Sequence, residues 1–409
     1  MSSPTPAPLD AYQRRLIAFL SVATFFEGYD FFAIAQILPG LRAELGLDPA
    51  AAGVLLAVIN AGTMLAGLLV RLADRWGRRR VLSVTIAGYT IFSLLTAATH
   101  SAVTFGLAQL GARMFLIGEW AVAMVMAAEE FPAERRGTVI GVIQACATLG
   151  GITCAAVVPL LLRTPIGWRA VYVAGAVPLV LVAFARRSLR ETRRFAARAP
   201  EGPKQSPRAL LTGPYAGRVI VLGLIWTLTY TCTQNAITFW KEFAVGERSF
   251  SDAAVGATLA ISALGAMPLV FLSGKLLDVA GRRAGGAIIF VACAVGVILC
   301  YTLPGRAGLT AALVIAAFGT NAALPVLNAY TTELFPTEVR GDAFALANNA
   351  IGRIGYVLSP IAVGAAAGVY GWGRAVAATS VSMMLALLLI LRLLPETRGR
   401  ELEDTSKAP

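Results

Sequence analysis

The sequence predicts an all-α membrane protein with twelve transmembrane helices in two pseudo-symmetric six-helix bundles. Three observations lead to this fold class: an apolar composition, a series of long apolar segments, and an internal repeat. The 409 residues are 57% hydrophobic and 14% charged, with a mean hydropathy of +0.70. Soluble domains carry about 25% charged residues, so this balance predicts a chain that lies in a bilayer.

About twelve apolar segments follow one another with short connections, and each is long enough to cross a bilayer as a helix. The chain contains 40 glycines, which permit close helix–helix approach in lipid. The predicted segments are 12–40, 50–73, 80–99, 102–131, 137–163, 168–187, 217–243, 252–277, 284–304, 307–335, 341–368 and 372–394.

The two halves of the chain carry the same short motifs at one constant spacing. Three pairs mark the repeat, and in each pair the second member lies 204 residues after the first: Asp74 and Asp278, Gly137 and Gly341, Trp168 and Trp372. Such a repeat predicts two parallel bundles with a binding site between them near the midplane. We predict an N-terminal bundle over 1–188, a cytoplasmic linker over 189–216, and a C-terminal bundle with a short cytoplasmic tail over 217–409.

Lys and Arg residues are distributed unevenly between the two sets of connections. With the N-terminus inside, about 26 of the 35 basic residues fall on the inner side, as the positive-inside rule requires. Both termini are therefore expected in the cytoplasm of a bacterial cell, in a multi-pass protein of the plasma (inner) membrane. The net charge of +12 is explained by this topology, and we expect the lipid bilayer but no nucleic acid as a partner.

Two carboxylates, Glu27 and Asp30, lie in the middle of the first apolar segment and share one helix face. An acid in a membrane helix costs about 2.5–3.5 kcal/mol on insertion scales and is functional by default. Helix 4 carries Arg113 and Glu119; at 1.5 Å per residue, Arg113 and Asp30 lie at nearly the same depth, roughly 15 Å from the outer end. We therefore predict that Asp30, Glu27 and Glu119 couple transport to protons. The alternative is that these charges only pair and hold the bundle together.

Arg353, midway along helix 11, has no obvious acidic partner within its own half. A buried arginine without a fixed counter-ion suits an anion that arrives and leaves. We therefore predict that Arg353 and Arg113 bind a small organic anion; the alternative for Arg353 is an ion pair with an acid of the other bundle. The remaining predicted pocket residues are polar or aromatic and lie on inward-facing helices: Tyr29, Gln144, Gln234, Asn235, Trp240, Asn328, Asn348 and Tyr356.

Charged residues also cluster in the loops after helices 2 and 8. A carboxylate at a helix end can accept hydrogen bonds from arginine and from free backbone N–H groups. We predict that such clusters close the cytoplasmic face and open during transport. The predicted gate residues are Asp74, Arg75, Arg78, Arg136, Asp278, Arg282 and Arg340.

The loop motifs resemble those of the major facilitator superfamily. The first loop reads Asp74-Arg75-Trp76-Gly77-Arg78-Arg79 and the second Asp278-Val279-Ala280-Gly281-Arg282-Arg283, and the chain ends in Pro395-Glu396-Thr397-Arg398-Gly399. Val70 stands where the family has glycine. The resemblance implies the major facilitator fold and transport by alternating access.

Three membrane motifs resemble those of aromatic-acid and metabolite:proton symporters. They are Glu27-Gly28-Tyr29-Asp30, Gly118-Glu119-Trp120 and Gly352-Arg353-Ile354-Gly355. The resemblance implies symport of an organic acid with protons, although Glu27 replaces the usual aspartate.

Other functions stay open at this point: a sugar or polyol:proton symporter, an organic-ion or drug exporter, or a non-transporting membrane sensor. We do not expect an enzyme, because no nucleophile–base pair, metal cluster or phosphate loop is apparent. We expect no cofactor, no metal and a monomer.

Overall fold

Long helices make up almost all of the structure, a computed structural model that describes residues 9–176, 190–191, 207–400 and Thr405. Helices satisfy their own backbone hydrogen bonds, which is a condition for crossing lipid. The helices of the first half are α1 (Ala11–Leu45), α2 (Pro49–Trp76), α3 (Arg78–Ala97), α4 (Ala102–Glu130), α5 (Ala133–Leu161) and α6, described over 169–176.

The second half follows the same plan with more interruptions. Its helices are α7 (Pro207–Thr212), α8 (Ala216–Thr238), α9 (Trp240–Gly246), α10 (Asp252–Ala280), α11 (Arg282–Thr302), α12 (Arg306–Glu333), α13 (Thr337–Phe344), a π-helix (Ala345–Gly352), α14 (Arg353–Tyr370), α15 (Trp372–Ala377) and α16 (Ser380–Leu393).

Eleven helical spans within the described ranges are long and apolar enough to cross a membrane. They confirm the all-α membrane fold. The predicted sixth segment, 168–187, is described only as far as residue 176. The predicted linker 189–216 falls largely outside the described residues, so its limits stay a prediction.

Two compact units make up the chain, and their boundaries differ from a simple division into halves. One unit contains Met1–Leu41 and Val58–Gly202, and the other contains Arg42–Ala57 and Pro203–Pro409. Residues 42–57, which join α1 to α2, therefore pack with the second unit although they belong to the first half by sequence.

Two predicted helices are locally irregular. The predicted segment 217–243 is interrupted at Phe239, where α8 ends and α9 begins. The predicted segment 341–368 contains the π-helix. The Thr227 hydroxyl of α8 donates to the backbone oxygen of Ile351, a residue of this π-helix, at 2.9 Å. That bond satisfies a carbonyl in a stretch of wider helix, and such π segments occur frequently at functional sites.

Glycines set the helix spacing in both units. A Cβ on Gly150 of α5 would lie 1.8 Å from the backbone oxygen of Phe25, and one on Gly28 would lie 2.0 Å from that of Ala147. A Cβ on Gly319 of α12 would lie 2.3 Å from Cα of Cys293. Only glycine permits backbones to approach this closely, as is common for small residues in membrane bundles.

Candidate substrate, proton and gate sites

The two acids of α1 are buried in the first unit, with Glu27 3% exposed and Asp30 4% exposed. The glycine contacts with α5 explain this orientation. Gly28 lies on the face of α1 that contacts the α5 backbone. Glu27 and Asp30 lie on other faces of α1, where they interact with α3 and α4.

Glu27 lies near Glu119 of α4, and the two carboxyls interact electrostatically. Glu119 is fully buried, and no oxygen of either carboxyl has a hydrogen-bond partner of ordinary geometry in the described part of the chain. Two adjacent carboxylates in a low-dielectric interior repel each other, so such a pair favours holding a proton.

Asp30 interacts with Arg113, also of α4, as the depth estimate predicted. The guanidinium of Arg113 is 4% exposed and stacks over the Phe31 ring at 4.6 Å. Its Nη1 and one oxygen of Asp30 lack hydrogen-bond partners. The pair therefore leaves buried polar atoms that a proton, water or ligand can satisfy.

Tyr29, between these acids, has a packing role in this structure. Its hydroxyl donates to the backbone oxygen of Val171 at 3.3 Å, and its side chain is buried.

Among the described residues no group of three His, Cys, Asp or Glu side chains has an arrangement that could hold a metal ion.

Arg353 begins α14 directly after the π-helix, in the second unit. Its guanidinium carbon lies 5.3 Å from the ring centroid of Tyr230 and 5.0 Å from that of Tyr356. Nε has no hydrogen-bond partner, and no carboxylate of the second unit's described residues forms an ion pair with the side chain. The aromatic faces hold the cation in place by cation–π attraction without neutralising it.

Two hydrogen bonds brace the surroundings of Arg353. The Tyr230 hydroxyl donates to Asn348 Oδ1 at 2.9 Å, and the Asn235 amide donates to the Ser359 hydroxyl at 2.7 Å. Asn235 and Asn348 are both buried. These amides fix α8 against the π-helix and α14, and the Asn235 oxygen remains unpartnered.

The other predicted pocket residues have contacts of their own. Gln234 donates to Thr238 at 3.1 Å within its own helix, and exposed Gln144 accepts from the Trp120 indole at 3.3 Å. Trp240 is fully buried and packs edge-on against Phe250, and Asn328 is exposed. None of these three contacts involves Arg353, and the binding roles predicted for the four residues stay predictions.

The loop cluster of the first unit is centred on Arg78. Its Nη2 donates to Glu129 of α4 at 3.0 Å, and its Nη1 donates to the Ala73 carbonyl at 3.0 Å. Its backbone N–H donates to the Glu191 carboxylate at 2.9 Å. Gly77, which precedes α3, has φ of 96°, a conformation that favours glycine.

The second unit repeats this cluster contact for contact around Arg282. Nη2 donates to Glu333 at 2.9 Å, Nη1 donates to the Leu277 carbonyl at 3.1 Å, and the backbone N–H donates to Glu396 at 2.8 Å. Although partial burial acts in the opposite direction, the backbone N–H groups of Arg283, Arg398 and Arg282 lower the pKa of Glu396 below its usual value.

The other predicted gate residues lie outside these two clusters or at their exposed edge, and their gate roles stay predictions. The side chains of Asp74 and Arg136 lie outside the described residues. Arg75 is exposed, and Arg340 donates to the Phe335 carbonyl at 3.2 Å. Asp278 pairs with Arg282 at 3.1 Å but is 74% exposed.

The glutamates at the centre of both clusters were not predicted as gate residues. Glu129 and Glu333 belong to the repeated motif Glu-x-Phe-Pro, and Glu191 and Glu396 each precede a threonine and an arginine. The repeat itself was therefore the signal that could have identified them.

A further ion pair lies in the second unit, where residues 42–57 pack. Arg42 Nη1 donates to Glu242 at 2.6 Å, with side chains 17% and 5% exposed. The guanidinium lies 5.4 Å from the Trp372 ring. Near it, a Cβ on Gly53 of α2 would lie 2.3 Å from the Pro360 oxygen, and one on Gly364 of α14 would lie 2.4 Å from the Pro49 oxygen. The start of α2 is thus in backbone contact with α14.

Comparison with curated proteins shows relatives over most of the sequence. The probable 4-methylmuconolactone transporter of Cupriavidus pinatubonensis is 28% identical over 391 residues, covering 93% of this chain and 90% of the relative. The cis,cis-muconate transport protein of Acinetobacter baylyi is 28% identical over 368 residues, covering 85% and 86%.

Comparison with solved structures shows proteins of similar fold. The crystal structure of a D-xylose-proton symporter matches with a TM-score of 0.77 at 18% identity, covering 95% of this chain and 100% of that one. The family model described as Major Facilitator Superfamily matches residues 20–246 and 224–409. Because these matches span nearly the whole sequence, this multi-pass membrane protein belongs to the Major Facilitator Superfamily.

Proposed function

We propose that this protein is a proton-coupled symporter that imports a small organic anion by alternating access. The observation that carries the proposal is Arg353, a cation that contacts the rings of Tyr230 and Tyr356 and has no acidic partner among the described residues of its own unit. The residue is partly exposed, but its Nε is buried without a hydrogen-bond partner among the described residues. A buried donor is costly to leave unsatisfied, and a substrate carboxylate would satisfy it with bidentate hydrogen bonds.

The curated relatives favour an organic acid as the anion. Those named above transport 4-methylmuconolactone and cis,cis-muconate by their names. A carboxylate docked on Arg353 would lie beside Tyr230 and Tyr356, whose rings offer an apolar surface for an unsaturated or aromatic carbon skeleton.

The coupling proton is assigned to the acids of the first unit. Glu27 and Glu119 share one buried space, and Asp30 is balanced by Arg113. A proton that binds to this group changes its net charge. Because charges in a buried site interact strongly, this change alters the energy of the site substantially. We assign the proton to this group as a whole, with Arg113 as a second contact for the anion.

The remaining assignments concern the cellular setting and the gate. We propose a monomer in the bacterial inner membrane with both termini in the cytoplasm, as the distribution of Lys and Arg favours. The clusters around Arg78 and Arg282 would close the cytoplasmic face, together with the other gate residues predicted from sequence.

Uptake into proteoliposomes under an imposed inward proton gradient tests the proposal. The panel is cis,cis-muconate, benzoate, nicotinate and D-xylose, with Arg353→Ala, Asp30→Asn and, as a matched control, Arg374→Ala at an exposed position. We expect gradient-driven accumulation of an acid, lost in the first two variants and retained in the control.

Other outcomes would redirect the assignment. Accumulation of D-xylose instead of an acid would make the protein a sugar porter. Acid uptake that survives Arg353→Ala would reduce that arginine to a structural ion pair.

A further inference from the structure

Tyr89 of α3 is a fully buried tyrosine for which the proposed function has not yet required a role. It forms an apolar cluster with Ala112 and Leu116 of α4, and Phe26 and Phe31 of α1 pack against this cluster. It therefore sits where the two helices that carry the intramembrane charges meet.

The Tyr89 hydroxyl is surrounded by the acids of the first unit. It faces Asp30, and it lies within electrostatic range of Glu27 and Glu119 as well. No hydrogen bond of ordinary geometry reaches the hydroxyl, and the nearby hydroxyl of Ser93 is equally unpartnered. Buried hydroxyls are nearly always hydrogen-bonded, so an unpartnered one among acids points to a partner that changes.

Two further groups among the described residues lie near Asp30. Arg113 of α4 interacts with Asp30, and Tyr172 of α6 has an unpartnered hydroxyl near Asp30 and Arg113. Tyr172 interacts electrostatically with Asp30 and Arg113, whereas Tyr89 interacts with Glu27 and Glu119 as well as with Asp30.

We propose that the Tyr89 hydroxyl connects the Glu27–Glu119 pair to Asp30, so that one proton is shared by both acidic sites. This inference rests on the proposed proton coupling. The hydroxyl accepts a proton from the protonated glutamate as its own O–H proton passes to the Asp30 carboxylate. One O–H bond forms as another breaks at each step, the tyrosine ends neutral, and the negative charge moves from Asp30 to the glutamate pair.

The test compares Tyr89→Phe with Tyr301→Phe, each of which removes a single buried hydroxyl and keeps the ring. Each purified variant is reconstituted, and two activities are measured with whichever of cis,cis-muconate, benzoate or nicotinate the parent accumulates most. One is accumulation driven by a proton gradient. The other is counterflow exchange at equal pH on both sides, which needs no net proton movement.

We expect Tyr89→Phe to lose at least tenfold in gradient-driven accumulation while counterflow stays within about threefold of the parent. Tyr301→Phe should retain both activities, because the Tyr301 hydroxyl donates to the Ala236 carbonyl in the second unit. The relay is wrong if Tyr89→Phe accumulates acid like the parent, or if it loses counterflow to the same extent while its melting temperature is unchanged. A lower melting temperature with both activities lost would make Tyr89 a packing residue and also contradict the relay. If the parent itself accumulates no acid, the proposed function fails, and this outcome is distinguishable from failure of the relay alone.

Discussion

Glu396 is a single residue whose negative charge is stabilised at the start of a helix. Its carboxylate accepts backbone N–H groups of Arg282 and Arg283 at the start of α11, where the helix dipole also favours a negative charge. Gly281, at φ of 90°, makes room for it, since a Cβ there would lie 2.8 Å from the carboxylate.

Replacing Glu396 with glutamine should lower thermal stability in a pH-dependent way. Because the folded-state pKa is lowered, the ionised group stabilises the fold above its ordinary pKa of about 4.3, and this contribution is lost as the pH falls through the folded-state value. Melting curves in detergent at pH 7 and at pH 3.5 check this. The melting temperature of Glu396→Gln should fall below the parent's at pH 7 and approach it at pH 3.5.

The matched control is Asp278→Asn, whose carboxylate pairs with Arg282 on the surface and is 74% exposed. A pair of this kind contributes about 0–1 kcal/mol, so we expect little change at either pH. If the melting temperature of Glu396→Gln lies below that of the parent by the same amount at both pH values, the side chain acts by packing rather than by charge.

Arg353→Lys should weaken substrate binding although it keeps the positive charge. Lysine loses the planar, bidentate geometry of arginine and its stacking on aromatic rings. Charge-assisted hydrogen bonds contribute about 1.5–3 kcal/mol, so KM for the transported acid should rise roughly 10–100-fold. Initial uptake rates measure this, with exposed Arg374→Lys as the control. An unchanged KM would mean that the anion binds elsewhere.

At the scale of helices, backbone-to-backbone contacts set the positions of the charged faces. Gly150→Ala places a methyl group 1.8 Å from the Phe25 oxygen in the present packing, so α1 and α5 must separate. We expect a melting temperature several degrees lower and reduced uptake, because Glu27 and Asp30 move with α1.

Gly141→Ala is the control on the same helix, since nothing lies within 4 Å of a Cβ at that position. Alanine has the better helix propensity by about 1 kcal/mol, so this variant should be as stable as the parent or slightly more so. Equal stability of the two variants would show that α1 and α5 do not need their close contact.

The partly buried pair of Arg42 and Glu242 joins the last turn of α1 to α9. Breaking a buried pair from one side leaves an uncompensated charge and costs about 3–5 kcal/mol, whereas replacing both partners by apolar residues can be neutral. Arg42→Met and Glu242→Leu should therefore each lower the melting temperature, and the double variant should recover most of the loss. Additive losses would show that the two side chains act independently.

The sequence predicted the helices, the repeat and the intramembrane charges because each has a local signature. Apolar segments of bilayer length mark the spans, and Asp74 and Asp278 mark the repeat. Helical rise alone placed Arg113 level with Asp30. These predictions needed no knowledge of which helices are neighbours.

Contacts between distant segments could not be predicted in this way. The sequence analysis named Asp74 as an acid for the nearby arginines but did not name Glu129, which lies on another helix and accepts from Arg78. The packing of residues 42–57 with the second unit depends on glycine contacts between α2 and α14. Helical periodicity carries no information on such tertiary pairings.

At the scale of the whole molecule, the two units share one loop architecture and differ in their intramembrane charges. Arg78 with Glu129 and Arg282 with Glu333 are equivalent pairs, at 3.0 and 2.9 Å. The acids Glu27, Asp30 and Glu119 lie in the first unit and Arg353 in the second. We propose that the acids of the first unit hold the proton and that Arg353 of the second unit is the main contact for the anion, with Arg113 as a second contact.

Proton movement driven by the acid alone tests this account most directly. In lightly buffered proteoliposomes without an imposed gradient, external cis,cis-muconate should make the external pH rise as protons enter with the anion. Liposomes without protein control for passive permeation, and a variant with both Glu27→Gln and Glu119→Gln should show no such rise. Uptake of labelled muconate by the parent without any change in external pH would contradict proton-coupled symport.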